Sequence, residues 1–189
     1  MSVRTLRCAI EQVIAWHSRL YVEPHAAAFV AVAGWYSRPP ARFEVECEGI
    51  TSPWLRGGTG FRMEVDWGEA TVDKAERLRA TMQQKPLVEL AALAVAFLLA
   101  RRVLKVGRLE VSEYWERADY LLPGAEHVLE ASGTEVPGDL GRRHREKAAQ
   151  AQSNPFGWPA YVVVCAFQDE PHRVRLSHHH HKGASRGEG

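Results

Sequence analysis

The sequence predicts an α/β fold whose core follows the order helix–strand–strand–strand–helix–strand, preceded by an N-terminal α+β extension. Two segments carry this prediction. Residues 87–105 are apolar on nearly every side, which is typical of a buried helix. Residues 160–167 form a continuous β-branched and apolar run, which is typical of a strand covered on both faces. Between these two segments, short strand patterns and one polar helix complete the core.

The N-terminal extension, residues 1–85, is predicted to combine helices with a β-hairpin. Its two strand segments alternate strictly between apolar and charged side chains, which predicts an antiparallel pair with one solvent-facing side. A glycine-rich segment, 56–60, joins them. The predicted elements are an amphipathic helix over 3–22, an apolar segment over 26–35 that fits either a helix or a strand, strands over 43–49 and 61–67, and a charged helix over 69–84.

The predicted core, residues 86–170, begins with Pro86 in the first helical turn and is followed by a tail. Asp139 is the expected N-cap of the polar helix. Residues 171–189 are expected to be a His-rich flexible tail, in which four consecutive histidines either bind metal or, more simply, are solvated. The core elements are the helix over 87–105, strands over 108–115, 116–122 and 127–134, the helix over 139–152 and the strand over 160–167.

Composition and charge exclude several classes of protein. Twenty-four Lys and Arg residues against 23 Asp and Glu residues exclude a generally basic nucleic-acid coat, so a nucleic-acid site would have to be a local patch. The three cysteines are few and far apart, which predicts a reducing, cytoplasmic location without disulfides. The most apolar stretch, 87–100, is too short to span a bilayer and contains Glu89, so no membrane contact is expected.

A predicted hairpin brings two acids together. The turn at 123–126 separates two strands, and symmetric closure about this turn places Asp119 opposite Glu130 and Arg117 opposite Ser132. Carboxylates directly across a ladder lie about 4.5–5.5 Å apart at Cβ and repel each other. A divalent cation, Mg²⁺ or Mn²⁺, would remove that repulsion. The alternative is an ordinary polar sheet face in which Arg117 neutralises Asp119.

These acids and the order of elements resemble the PD-(D/E)XK nuclease-like superfamily, whose signature is an acid on one strand followed by Glu-x-Lys on the next. The resemblance covers about 80 residues, from 87 to 167, and implies a restriction-endonuclease-like core. It implies that Asp119 and Glu130 bind Mg²⁺ or Mn²⁺, and that Glu89 matches the acid some members carry on the first helix. The departure is Ser132, which stands where the family has its lysine.

A serine hydroxyl carries no positive charge, so the family's lysine must be replaced or its chemistry lost. Lys147 and Arg143, four residues apart on the 139–152 helix, are candidates for a cation that has moved to a neighbouring element. The same helix carries the densest basic run of the chain. The expected nucleic-acid contacts are Arg142, Arg143, Lys147 and Gln150.

Two functions follow from the resemblance. In the first, the protein is a metal-dependent nuclease that hydrolyses DNA phosphodiesters, with catalytic residues Asp119, Glu130, Ser132 and Lys147. In the second, it is a catalytically inactive nuclease-like fold that serves as a binding or assembly subunit of a larger complex. A protein partner is expected in that case. A third, structural possibility is a small scaffold whose residues 1–85 mediate oligomerisation.

Overall fold

The computed structural model describes residues 4–55, 58–112 and 118–182, and shows a mixed α/β fold, as predicted. Within these residues, there are eight strands in one sheet and five α-helices. In chain order, the elements are β1 (Thr5–Ala9), α1 (Gln12–Trp16), α2 (Glu23–Tyr36), β2 (Ala41–Glu48), β3 (Gly60–Asp66), α3 (Glu69–Thr81), α4 (Gln84–Arg102), β4 (Glu110–Val111), β5 (Tyr120–Leu122), β6 (His127–Thr134), α5 (Leu140–Ala151), β7 (Ala160–Ala166) and β8 (His172–His179).

The strands lie in the order β1-β3-β2-β8-β7-β6-β5-β4. Strand β5 is antiparallel to both β4 and β6, whereas β6 and β7 are parallel and connected through α5. The predicted order of elements from α4 to β7 is therefore confirmed, and so is the antiparallel pairing of β2 with β3. The apolar 26–35 segment lies within α2.

The two faces of the sheet are covered by different helices. On one face, β6 presents Leu129 and Ala131 to the main core, which also contains the buried residues of α2 and α4. On the opposite face, Val128 and Val162 pack against α5. Strand β7 contributes buried side chains to both clusters, as its continuous apolar sequence predicted. Around β6 and β7 the fold thus has three layers, α4, sheet and α5.

The predicted helix over 3–22 is wrong. Residues 5–9 form β1, which pairs in parallel with β3, and only the short α1 follows. Leu6, Cys8 and Ile10 are buried at every second position, so their spacing satisfies the strand period. The long-range pairing with β3 selects the strand.

The prediction of a flexible tail from residue 171 is also wrong. Strand β8 lies inside the sheet between β2 and β7. His172, Val174 and Leu176 alternate with Arg173 and Arg175, and the first three are fully buried. This alternation, which the polar composition obscures, allows the segment to form an interior strand.

Within the described residues, the predicted strands over 108–115 and 116–122 are shorter, because β4 covers two residues and β5 three. Arg117, expected opposite Ser132, lies outside the described residues, as do residues 56–57 and 183–189. No helix in the described ranges combines the length and apolar character needed to cross a membrane.

Candidate functional site

The hairpin of β5 and β6 has the predicted register. Tyr120 pairs with Leu129 and Leu122 with His127, and continuing this ladder places Asp119 opposite Glu130. The Asp119 amide donates a hydrogen bond to Leu129 O at 3.2 Å. Asp119 immediately precedes β5, so its carboxylate reaches along β6, where Oδ2 accepts the Ala131 amide at 2.7 Å.

Glu89 of α4 reaches the same edge of β6. Its Oε2 accepts the Gly133 amide at 2.9 Å, and its Oε1 accepts the Ser132 hydroxyl at 3.3 Å. Residue 133 must be glycine because a Cβ there would lie 2.2 Å from the Val88 carbonyl oxygen. The absence of a side chain at Gly133 thus lets α4 approach β6 closely enough for Glu89 to reach the strand.

Helix α5 packs on the face of the sheet opposite α4 and brings cations to Asp119 and to Glu130 of β6. The Lys147 ammonium lies 2.6 Å from Oε2 of Glu130 and 3.8 Å from Oδ2 of Asp119. Gln150, three residues further along α5, donates to Oε1 of Glu130 at 3.0 Å. Glu130 is fully buried, and both of its carboxylate oxygens are therefore hydrogen-bonded from α5.

Arg143 lies one helical turn before Lys147 and faces the same way. Its guanidinium lies 3.3 Å from Oε1 of Glu89 and 3.4 Å from Ser132 Oγ. The three acids Glu89, Asp119 and Glu130, called the carboxylate site below, are thus bordered by two cations from one helix face. Ser132 connects Arg143 with Glu89 and bears no charge itself.

Burial shifts the protonation of the site. It raises the pKa of Glu130 to about 8, reinforced by the Asp119 charge and opposed by Lys147. Burial also raises the pKa of Asp119, against the stabilising charge of Lys147. Burial opposes the charged form of Lys147, but the charges of Asp119 and Glu130 outweigh it and raise its pKa. The two carboxyl groups therefore resist ionisation even beside one ammonium, which is the electrostatic condition that favours an additional cation.

The carboxylate site fits a divalent cation by the chemistry of its donors. Carboxylate oxygens are the ligands that Mg²⁺ and Mn²⁺ prefer, and Asp119 and Glu130 would hold such an ion with Glu89 beside them. As the side chains stand, no three His, Cys, Asp or Glu residues of the described chain converge as a metal site.

The predicted nucleic-acid contacts do not share one surface. Arg143, Lys147 and Gln150 face the carboxylate site. Arg142 lies on the exposed side of α5, where it pairs with Asp139 and Glu146, each at 3.0 Å. Asp139 occupies the predicted N-cap position, but its carboxylate makes no capping hydrogen bond.

Two features of the site were not predicted from the sequence. Gln150 was expected to contact nucleic acid, whereas it holds the Glu130 carboxylate. The amides of Ala131 and Gly133, which anchor Asp119 and Glu89, were not considered. An isolated glycine inside a strand pattern is a signal of close backbone approach, so Gly133 offered a clue to the second of these contacts.

In comparisons with known proteins, no family model, no curated protein and no solved structure matches the chain.

Proposed function

We propose that this protein is a metal-dependent nuclease that hydrolyses DNA phosphodiester bonds at the carboxylate site. The observation that carries the proposal is the position of Lys147, whose ammonium lies 2.6 Å from Glu130 and 3.8 Å from Asp119. The resemblance to the PD-(D/E)XK superfamily calls for a lysine beside these two acids, and Ser132 cannot supply its charge. Lys147 brings a cation to the same place from the adjacent helix.

The order of elements supports the same proposal. From α4 to β7 the chain follows the helix–strand–strand–strand–helix–strand order that the resemblance implies. The acids occupy corresponding places in it, with Glu89 on the first helix, Asp119 immediately before β5 and Glu130 within β6. A restriction-endonuclease-like core is therefore part of the proposal.

Each residue of the site has a chemical role in this proposal. A divalent ion bound by Asp119 and Glu130 would lower the pKa of an attacking water and neutralise phosphate oxygens. Lys147 stabilises the negative charge that develops on the phosphate in the transition state. Gln150 holds Glu130 in position through its Oε1 atom. Ser132, through its hydrogen bond to Glu89, orients that acid and is a positioning residue.

The charges around the site suit a phosphate ester. In the described part of the chain, Arg143 Nε is buried without a hydrogen-bond partner, although the same guanidinium contacts Glu89. A buried donor of this kind is satisfied by an anionic oxygen such as that of a phosphate. Arg142, exposed in the first turns of α5, is placed to contact the DNA backbone.

Plasmid cleavage tests the proposal. We expect the protein to nick supercoiled DNA in millimolar MgCl₂ or MnCl₂ but not in EDTA, and Asp119→Asn and Glu130→Gln to abolish nicking. Glu146→Gln removes an exposed acid from α5 and should leave nicking unchanged. Nicking that survives in Glu130→Gln would refute the proposal, because it would come from another site or a contaminant.

A second candidate function is a catalytically inactive fold used as a binding or assembly subunit. The favouring observation is that Arg143 and Lys147 already neutralise much of the carboxylate site without a metal. Calorimetric titration with Mn²⁺ separates the two functions. Binding that is lost in Glu130→Ala supports the nuclease, whereas no binding to either protein supports the inactive fold.

A further inference from the structure

Two histidines far apart in the sequence meet at the opposite end of β6 from Gly133. His127 is the first residue of β6, and His178 lies in β8, two strands away. Their Nε2 atoms are 3.0 Å apart. The intervening strand β7 carries Tyr161, whose ring stacks on His127 with centroids 4.7 Å apart and lies 5.1 Å from His178. Both imidazoles are therefore held by a shared aromatic neighbour.

The hydrogen bonds of His127 fix which of its nitrogens carries a proton. Its Nδ1 bonds the carbonyl oxygen of Ala125, and a carbonyl can only accept. Nδ1 is therefore the protonated nitrogen of the neutral ring, and the lone pair of Nε2 faces His178. Metal-binding histidines are oriented in the same way, with the second ring nitrogen donating to a carbonyl or carboxylate.

The spacing of the two nitrogens matches that of two ligands on one metal ion. Imidazole nitrogens lie about 2.0–2.1 Å from Zn²⁺, so two of them on a tetrahedral ion are about 3.3–3.4 Å apart, slightly farther than in the present hydrogen bond between the rings. The observed 3.0 Å requires at most a small outward movement of either ring.

We propose that His127 and His178 form a second metal site, which binds a transition-metal ion such as Zn²⁺, Ni²⁺ or Cu²⁺ across the sheet. Imidazole selects these ions, whereas the carboxylate site selects Mg²⁺ or Mn²⁺, so the two sites are chemically distinct. His180, whose ring centroid is 5.2 Å from that of His178, lies two residues further on the same side of the chain. Within the described residues, no third metal-binding side chain is already in place. We therefore assign the remaining coordination positions to His180 and water.

The experiment must separate a folded site from simple binding by the run of histidines at 178–181. We would titrate the full chain with ZnCl₂ by calorimetry and compare His127→Gln, His178→Gln and His179→Gln. His127 is outside the run, so only a folded site needs it. His179 is in the run but bonds Ser177 on the opposite face of β8, which makes it the matched control.

Loss of a direct ligand should weaken binding at least as much as loss of a supporting contact, that is by roughly tenfold or more. We expect this loss in His127→Gln and His178→Gln and near wild-type affinity in His179→Gln. We also expect Zn²⁺ to raise the Tm of the wild type but not of His127→Gln, because only the folded chain forms the site. Wild-type affinity in His127→Gln, or no Zn²⁺ binding by the wild type, would overturn the proposal.

Discussion

The Lys147 ammonium of α5 lies 2.6 Å from the fully buried carboxylate of Glu130 on β6. This pair links α5 to the sheet, because β6 supplies the acid and the crossover helix supplies the cation. Its geometry follows from helical spacing, which also directs Arg143 and Gln150 toward β6. The stability and the proposed activity of the protein both depend on this contact.

Removing the cation should destabilise the protein. In Lys147→Met, Glu130 stays buried but loses its charged partner, and we expect the free energy of unfolding to fall by about 3–5 kcal/mol. Arg142→Met breaks only exposed ion pairs on the same helix and should change the free energy of unfolding far less. Urea denaturation of both variants checks this prediction, and equal losses would contradict it.

Gly133 lies where the backbone of β6 comes closest to the backbone of α4. In Gly133→Ala, the new Cβ would lie 2.2 Å from Val88 O and 2.6 Å from Val88 Cγ1, so α4 must move away from β6. We expect a loss of about 3 kcal/mol in the free energy of unfolding. Gly138→Ala, whose Cβ meets nothing within 4 Å, should change it by less than about 0.5 kcal/mol. Thermal or urea unfolding measures both, and similar values would show that α4 accommodates the methyl group.

The sequence predicted the part of the site that depends on local pattern. The Pro123-Gly124 turn and the alternation of the strands fixed the register that puts Asp119 opposite Glu130, and helical spacing selected Lys147. The position of β8 was not predicted, because its partners β2 and β7 are distant in the chain. The prediction of a helix at the N-terminus was wrong because the spacing of Leu6 and Ile10 fits both the helical and the strand period.

In mild acid the protonation of His144 should lower the free energy of unfolding, while the raised pKa of Glu130 acts in the opposite direction over the same pH range. Burial, followed by the charge of Arg175, lowers the pKa of His144 from 6.5 to about 4. Below pH 6.5 the unfolded chain therefore takes up a proton at His144 that the folded protein does not, and the contribution of His144 to the free energy of unfolding falls until about pH 4. Each unit of the pKa difference corresponds to about 1.4 kcal/mol.

The variant His144→Gln removes that titration while keeping a polar side chain beside Ser177. As the pH is lowered from 6.5 toward 4, the free energy of unfolding of the wild type, measured by urea denaturation, should fall relative to that of the variant. The buried His17, His25 and His172, whose pKa values are also lowered, preserve part of the slope. Parallel curves for the two proteins would show that His144 protonates equally in both states.

The most direct test of the central claim is the rate of Mg²⁺-dependent plasmid nicking by the wild type, Lys147→Met and Lys74→Met. Lys74 is an exposed lysine of α3, so Lys74→Met makes the same substitution away from the carboxylate site and serves as the control. Circular dichroism first establishes that each protein is folded at the assay temperature. If Lys147 stabilises the transition state, its loss should slow nicking by about 10²–10³-fold, while Lys74→Met nicks at the wild-type rate. Nicking by Lys147→Met at the wild-type rate, or no metal-dependent nicking by the wild type, would contradict the account.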